Sequence, residues 1–285
     1  MADDEHSDSG HSGRGHSERE HRDDKHRDDE HHADQHRRRW YRLTQSSAAR
    51  GAATWVGDRR AVIAVWMGVA LVLLGMAGFL GVLDAVRELD DLAALDEPVL
   101  TALAEGRSEV LTVVLSVITT ISGVVVLPIL VLAGCLAWGF ARGRWWQAGL
   151  LAGAMVVSTI VSVTLKRVIA RPRPPVDTMT GAGIEESYSF PSGHTIGAAT
   201  FLLVAGYLLW VARPTWRSLL RWVLLVTAGV FAVALSRLYL GYHFVTDVVA
   251  SMALALAVLG LVVVVDRRRA ARAASVQASD ASPPG

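Results

Sequence analysis

Beyond its first sixty residues the chain holds a single lysine, Lys166, and two histidines, His194 and His243. Each stands where an apolar run meets a connection, and each has polar company. Lys166 opens "KRVIARPRPP" with Arg171 and Arg173, His194 closes "PSGH", and His243 lies between Arg237 and Asp247 in "SRLYLGYHFVTD". Cations and imidazoles drawn from distant stretches to one end of a bundle make an anion site. In "PSGH", Ser192 can cap the following helix and Gly193 lets backbone N–H groups come close to an anion, which makes a phosphate cradle at a helix N-terminus. His243 and Asp247 are four apart at the start of a predicted helix, so they share a face. The carboxylate can hold one ring nitrogen and leave the other oriented as a nucleophile. An unpaired carboxylate near the middle of a span costs on the order of 2.5 to 3.5 kcal/mol, so Asp247 needs a partner and His243 is the nearest. Taken singly, Lys166, Arg173 or Arg237 could snorkel to headgroups, and His194 could be a helix-end residue without a role. Their coincidence at one face favours function.

The elements that must position these groups are membrane spans. Of 285 residues 52% are hydrophobic and 19% charged, and the uncharged runs match a hydrocarbon layer roughly 30 Å thick. The net charge of +1 hides a segregation of charges into the first sixty residues, the connections and the C-terminus, so it says nothing about partners. Spans are predicted at about 61–83, 122–140, 145–165, 194–211, 222–240 and 244–265, with 84–109 as a polar connection. Residues 110–121 read as an interfacial or partly buried helix, set off by Gly123 and Pro128. The expected fold is therefore all-α, a polytopic bundle of six transmembrane helices.

Six spans put both termini on one side. Arg59, Arg60, Arg142, Arg144, Arg213, Arg217, Arg221 and Arg267 to Arg269 fall there, and the positive-inside rule makes that side the cytoplasm. Lys166, Arg167, Arg171 and Arg173 break the trend on the other face, an exception that asks for a functional explanation. Trp145, Trp146 and Trp222 read as interfacial anchors.

Residues 1–58 differ in kind. They are rich in His, Asp and Arg, nearly free of aliphatic side chains, and predicted to be a disordered cytosolic tail. Histidines recur every five residues from His6 to His36; about 140° of helical rotation per step would spiral them around a helix, so a solvated tail is favoured over weak metal binding. The tail is not a signal peptide. Residues 59–266 form the expected functional domain and 267–285 a short cytosolic tail. Cys135, the only cysteine, allows no intrachain disulfide.

The motifs resemble the signature of the type-2 phosphatidic acid phosphatase superfamily, membrane lipid phosphate phosphatases that share their site with vanadium-dependent haloperoxidases. That signature is Lys, six residues, Arg-Pro; Pro-Ser-Gly-His; and Ser-Arg, five residues, His, three residues, Asp. Here it stands as Lys166 with Arg173 and Pro174, Pro191 to His194, and Ser236, Arg237, His243 and Asp247. Arg171 is a rival within "RPRP", but the spacing from Lys166 selects Arg173. The resemblance covers about residues 60–265 and is specific for family rather than substrate.

It implies that His243 attacks phosphorus to give a phosphohistidine, Asp247 orients it, and His194 protonates the leaving oxygen and then activates water. Lys166, Arg173, Arg237, Ser192 and the Gly193 amide would bind the phosphoryl oxygens, with no metal or other cofactor. The implied partners are a lipid phosphate and the surrounding membrane lipids, with no nucleic acid. A site at the extracytoplasmic span ends suits undecaprenyl diphosphate or a phosphatidate or phosphatidylglycerol phosphate. Two other readings compete. Six apolar spans weigh against a vanadate-dependent haloperoxidase, and intact motifs weigh against a non-catalytic protein that binds anionic lipids.

Overall fold

In lipid the backbone has no hydrogen-bond partner but itself, so long runs of Leu, Val, Ala and Gly close into helices. The computed structural model describes residues 59, 61–181 and 183–280; the histidine-rich tail lies outside the described residues. The chain divides into units Met1–Arg60 and Ala61–Gly285, and the second carries the whole helical assembly described below. Helix α1 spans Ala61–Glu88. A 3-10 helix at Asp91–Leu95 leads to α2 (Asp96–Glu105), α3 (Glu109–Ile121), α4 (Val126–Arg142) and α5 (Trp145–Ile169). A second 3-10 turn at Val176–Thr178 precedes α6 (Gly193–Ala212), α7 (Trp216–Tyr239) and α8 (Val245–Asp280). No strand occurs among the described residues.

Helices α1, α5, α6, α7 and α8 are each long and apolar enough to cross a membrane, and α3 with α4, bent by 52°, makes a sixth span if the pair is counted as one. The expected all-helical bundle is thus observed, with one change of detail. The chain breaks at Ser122–Val125, whereas Pro128 lies inside the first turn of α4, where its missing N–H is not needed. The segment read as interfacial, α3, packs along α7, while α4 packs on α5.

Helix α6 sits against α5, α7 and α8 at the centre. Of the apolar stretch of α8, 61% is buried, against 17% for α1; Trp66 and Leu73 on α1, with Phe140 on α4 and Phe231 on α7, are exposed on an outer apolar surface suited to lipid tails. Where α1 crosses α8, a Cβ added to Gly75 would lie 2.5 Å from the carbonyl oxygen of Ala253, and one added to Gly260 2.5 Å from that of Gly68. Close backbone packing through small residues holds this crossing, since lipid supplies no hydrophobic drive between helices.

The stretch 84–109, read from its charges as a connection, folds into the 3-10 helix and α2 and buries Asp96 and Leu100. Just beyond α2, Arg107 Nε donates to the Tyr239 carbonyl at 3.0 Å and Nη2 to that of Thr178 at 2.7 Å. One guanidinium thereby ties the α2–α3 turn to the end of α7 and to the α5–α6 connection. At the opposite end of the helices, Asp266 accepts from Trp146 Nε1 (3.0 Å) and the Tyr207 hydroxyl (2.9 Å), and Arg269 lies over the Trp146 ring. Trp146 is thus a strut between helices as well as a residue near a span end.

Candidate active site

Four helix ends meet. Helix α5 carries Lys166 in its last turn and stops at Ala170, left-handed at φ 51°. The chain then runs through Arg171 and Arg173 towards Ser192, which caps α6. Its Oγ accepts from the Thr195 N–H at 3.5 Å and the Thr195 hydroxyl at 3.0 Å, leaving its own proton to give away. Helix α7 carries Arg237 in its last turn, and Gly241, at φ +75°, reverses the chain. A Cβ there would lie 2.1 Å from the Thr178 carbonyl oxygen, so only glycine fits. The reversal sets His243 just before α8, with Asp247 in its first turn.

His243 is 1% exposed, and its Nδ1 lies 3.1 Å from Asp247 Oδ2. That oxygen also accepts from the Phe244 N–H at 3.0 Å, while Oδ1 accepts from Arg171 Nη1 at 2.7 Å and Ser189 Oγ at 3.4 Å. A carboxylate so surrounded by donors assigns the ring proton to Nδ1 and leaves Nε2 unprotonated, with its lone pair turned towards the arginines. Burial, followed by the charges of Arg237, Arg173 and Lys166, pushes the His243 pKa well below the usual imidazole value, so the ring is neutral at neutral pH.

The Nε2 side faces cations. Arg173 Nη1 is 3.2 Å away and also donates to the Tyr242 carbonyl at 2.7 Å. Arg237, 1% exposed, donates to Thr119 Oγ1 at 2.7 Å and stacks over Tyr242 at 4.4 Å; its buried Nε has no hydrogen-bond partner among the described residues. Lys166 donates to the carbonyls of Tyr188 and Ser189. His194 lies beside the α3–α4 break, where a Cβ on Gly123 would come 3.6 Å from its Nε2, and the charges acting on it are those of Arg237, Glu185, Arg173 and Lys166. A Cβ on Gly193 would meet Lys166 Cε at 3.9 Å, an ordinary contact, so the fold alone does not demand glycine there. The motif residues singled out from spacing therefore gather at one end of the bundle.

Two acids stand with them that the motif spacing did not single out. Glu185 bridges the two arginines, Oε2 to Arg173 Nη2 at 2.6 Å and Oε1 to Arg237 Nη2 at 2.5 Å. Burial alone raises a carboxyl pKa, but Arg237 and Arg173 outweigh it and hold Glu185 down at about 2. In sequence it is one of an adjacent pair with Glu186, and nothing in the spacing distinguishes the two. Asp96, 4% exposed, receives Arg171 Nη2 at 2.8 Å, so Arg171, the rival within "RPRP", serves carboxylates while Arg173 faces the histidine. The arrangement, a neutral oriented imidazole beside convergent cations, can attack an electrophile that carries negative charge, as phosphorus does in a phosphate ester.

Similarity to known proteins agrees with this chemistry. Residues 147–271, which hold all three motifs, match the model of the PAP2 superfamily. Phosphatidylglycerophosphatase B of Bacillus subtilis (strain 168) is 32% identical over 187 residues, 65% of this chain and 89% of its own length. Decaprenylphosphoryl-5-phosphoribose phosphatase of Mycolicibacterium smegmatis is 35% identical over 118 residues, 41% of this chain and 57% of its own. Among solved structures, the crystal structure of a transmembrane PAP2-type phosphatidylglycerolphosphate phosphatase from Bacillus subtilis superposes with a TM-score of 0.59 at 28% identity, covering 68% of this chain and 96% of that one. A helical, multi-pass membrane protein that aligns with nearly the full length of such a relative belongs to the PAP2 superfamily.

Proposed function

We propose that the protein hydrolyses a phosphate ester or anhydride of a membrane lipid, with His243 as nucleophile. One observation carries the assignment: beside the His243 Nε2 lone pair, Arg173 and Arg237 are spaced to clamp one anion, and Glu185 occupies that clamp. A phosphoryl group presents the same pair of oxygens to the same two forks. Displacing Glu185 would put phosphorus within reach of Nε2.

In the first half-reaction Nε2 bonds to phosphorus as the bond to the lipid oxygen breaks, and His194 gives that oxygen a proton. In the second, His194 takes a proton from water, which attacks phosphorus; the P–N bond breaks, and inorganic phosphate and His243 are restored. Asp247 holds Nδ1–H throughout and stabilises the positive charge the ring acquires. Lys166, Arg173 and Arg237, with the Ser192 hydroxyl and the Gly193 amide at the N-terminus of α6, neutralise the phosphoryl oxygens, a task a divalent ion performs in other phosphoryl-transfer sites.

The substrate reading is a lipid whose tail lies along the apolar helix faces while its phosphate enters between the helix ends. The named relatives act on a phosphatidylglycerol phosphate and on a polyprenyl phosphate sugar. Phosphatidylglycerol phosphate or phosphatidate and undecaprenyl diphosphate are therefore the substrates to compare. Purified protein in detergent is expected to release phosphate from at least one of them in the presence of EDTA, and His243→Ala to release none. A His243→Ala protein that keeps its activity, or activity that returns only with added magnesium, would defeat this mechanism. Lipid binding without phosphate release would favour a binding protein.

A further inference from the structure

Behind Asp247 lies a ring of polar groups that none of the three motifs contains. Arg171 Nη1 donates to Asp247 Oδ1 at 2.7 Å and to Thr246 Oγ1 at 2.6 Å, while Nη2 donates to Asp96 Oδ2 at 2.8 Å. The Thr246 hydroxyl donates to that same Asp96 oxygen at 2.6 Å, and the Thr246 N–H, in the first turn of α8, donates to Asp96 Oδ1 at 3.0 Å. Asp96 thus caps α8 from 150 residues away. The side chains of Asp96, Arg171 and Asp247 are 4%, 13% and 0% exposed, and Phe244 covers the guanidinium at 4.5 Å. One cation between two buried carboxylates leaves a single net negative charge, and its division between them depends on where Arg171 is held.

We propose that Asp96 and Arg171 are positioning residues for the phosphoryl-transfer nucleophile: Arg171 locks the Asp247 carboxylate against His243, and Asp96 holds Arg171 in place. The proposal rests on His243 acting as the nucleophile. Because Asp96 begins α2, it also gives that short helix a task in the reaction that hydropathy alone does not disclose. A merely structural ion pair would tie α2 to α8 without changing what His243 feels.

Charge separates the two roles. Arg171→Gln removes a cation behind Asp247, so His243 feels more of that carboxylate and its titration moves to higher pH, by roughly one unit. Asp96→Asn removes an anion and moves the titration the other way, by less because Asp96 is farther off. The other groups facing His243 stay in place in both variants: Lys166 on α5, Arg173 and Glu185 in the α5–α6 connection, His194 on α6, Arg237 on α7 and Asp247 on α8. Arg171→Lys keeps the charge but cannot reproduce the fork, so it should leave the titration near that of wild type and restore only part of the rate.

The test uses the full chain in detergent, with kcat, KM and the pH profile of kcat/KM measured on the lipid phosphate found active, and the His243 ring followed by NMR titration in the resting protein. The expected result is a kcat reduced roughly 10- to 100-fold in Arg171→Gln and Asp96→Asn with KM within about twofold, the usual scale for groups that orient a reacting ligand, together with opposite shifts of the titration. An unchanged kcat, or losses that follow the melting temperature while the titration stays put, would overturn the proposal. Should Asp96→Asn fail to fold, the contrast of Arg171→Gln with Arg171→Lys decides. If the wild-type protein released no phosphate from any lipid, the proposed function would fall, and the NMR titration would still decide whether this pair sets the state of His243.

Discussion

Glu185 is an anion that the site supplies for itself. Its two oxygens sit on the guanidiniums of Arg173 and Arg237, and it is 30% exposed, so it can leave. Replacing it by Gln should unmask both arginines: inorganic phosphate is expected to inhibit Glu185→Gln about tenfold more tightly than wild type, measured as a competitive Ki. The same change should lower stability with a definite pH signature. A carboxyl held at about 2 when folded and near 4.3 when unfolded stabilises the fold above the higher value, and that contribution is lost as pH falls through the lower. The melting-temperature difference between wild type and Glu185→Gln is therefore expected to be full at neutral pH and to close between about 4.3 and about 2. His243 carries a related expectation. Buried among cations and already neutral well below the usual imidazole value, it should keep the acid limb of kcat/KM below about pH 6.5 in a rate profile on a lipid phosphate. A limb at or above that pH would assign it to another group. Lys166, His194 and His243 were legible in the sequence because such residues are rare at span ends. Glu185 and Asp96 were not, because acids are common in connections and only their meeting with arginines in space sets these two apart.

At the level of elements, glycines in adjoining motifs do different work, and substitution separates them. Gly241 has no room for a Cβ beside the Thr178 carbonyl and adopts a left-handed conformation, so Gly241→Ala should cost on the order of 1 to 3 kcal/mol from backbone strain alone, with the clash added, and lower both melting temperature and activity. Gly193 meets only ordinary contacts, and an added methyl takes space beside Lys166. Gly193→Ala is expected to melt within a few degrees of wild type while kcat/KM falls by at least about tenfold, because it blocks the approach of an anion to the α6 N-terminus. Equal losses of stability in the two variants would remove that distinction. Hydropathy located α1, α5 and α6 to within about five residues, since a span must be apolar along its whole length. But it started α7 late, at about 222 instead of Trp216, and ended α8 at about 265, whereas the helix continues through the basic stretch read as a tail to Asp280. It passed over α2, which is 10 residues long and carries Asp96 and Glu97 in its first turn. It also placed a break at Pro128 as well as Gly123, although a proline in the first turn begins a helix more readily than it interrupts one.

For the molecule as a whole the open quantity is direction across the membrane. The motif residues lie at the end of the bundle formed by the C-termini of α5 and α7 and the N-termini of α6 and α8. The α4–α5 and α6–α7 connections, with Arg142, Arg144, Arg213 and Arg217, lie at the other ends of those helices, as does the cluster of Asp266, Arg267 and Arg269 against Trp146 and Tyr207. Two rows of basic residues thus face opposite sides, and the positive-inside rule alone sees both. What separates them is use. Lys166, Arg171, Arg173 and Arg237 are engaged with carbonyls, carboxylates and His243, which leaves Arg167 as the exposed member of that row, whereas Arg142, Arg213, Arg217 and Arg221 are all exposed at the other end and placed to meet headgroups. Discounting the engaged cations leaves the rule to act on the exposed ones, and on that ground we propose that their end lies in the cytoplasm and the site on the far side. Single cysteines test this directly, because native Cys135 is buried. Val176→Cys, at a position 55% exposed in the α5–α6 connection, should react with an impermeant maleimide on intact cells, and Arg217→Cys only after permeabilisation. The reverse pattern would turn the protein over in the membrane and make the substrate a lipid of the inner leaflet.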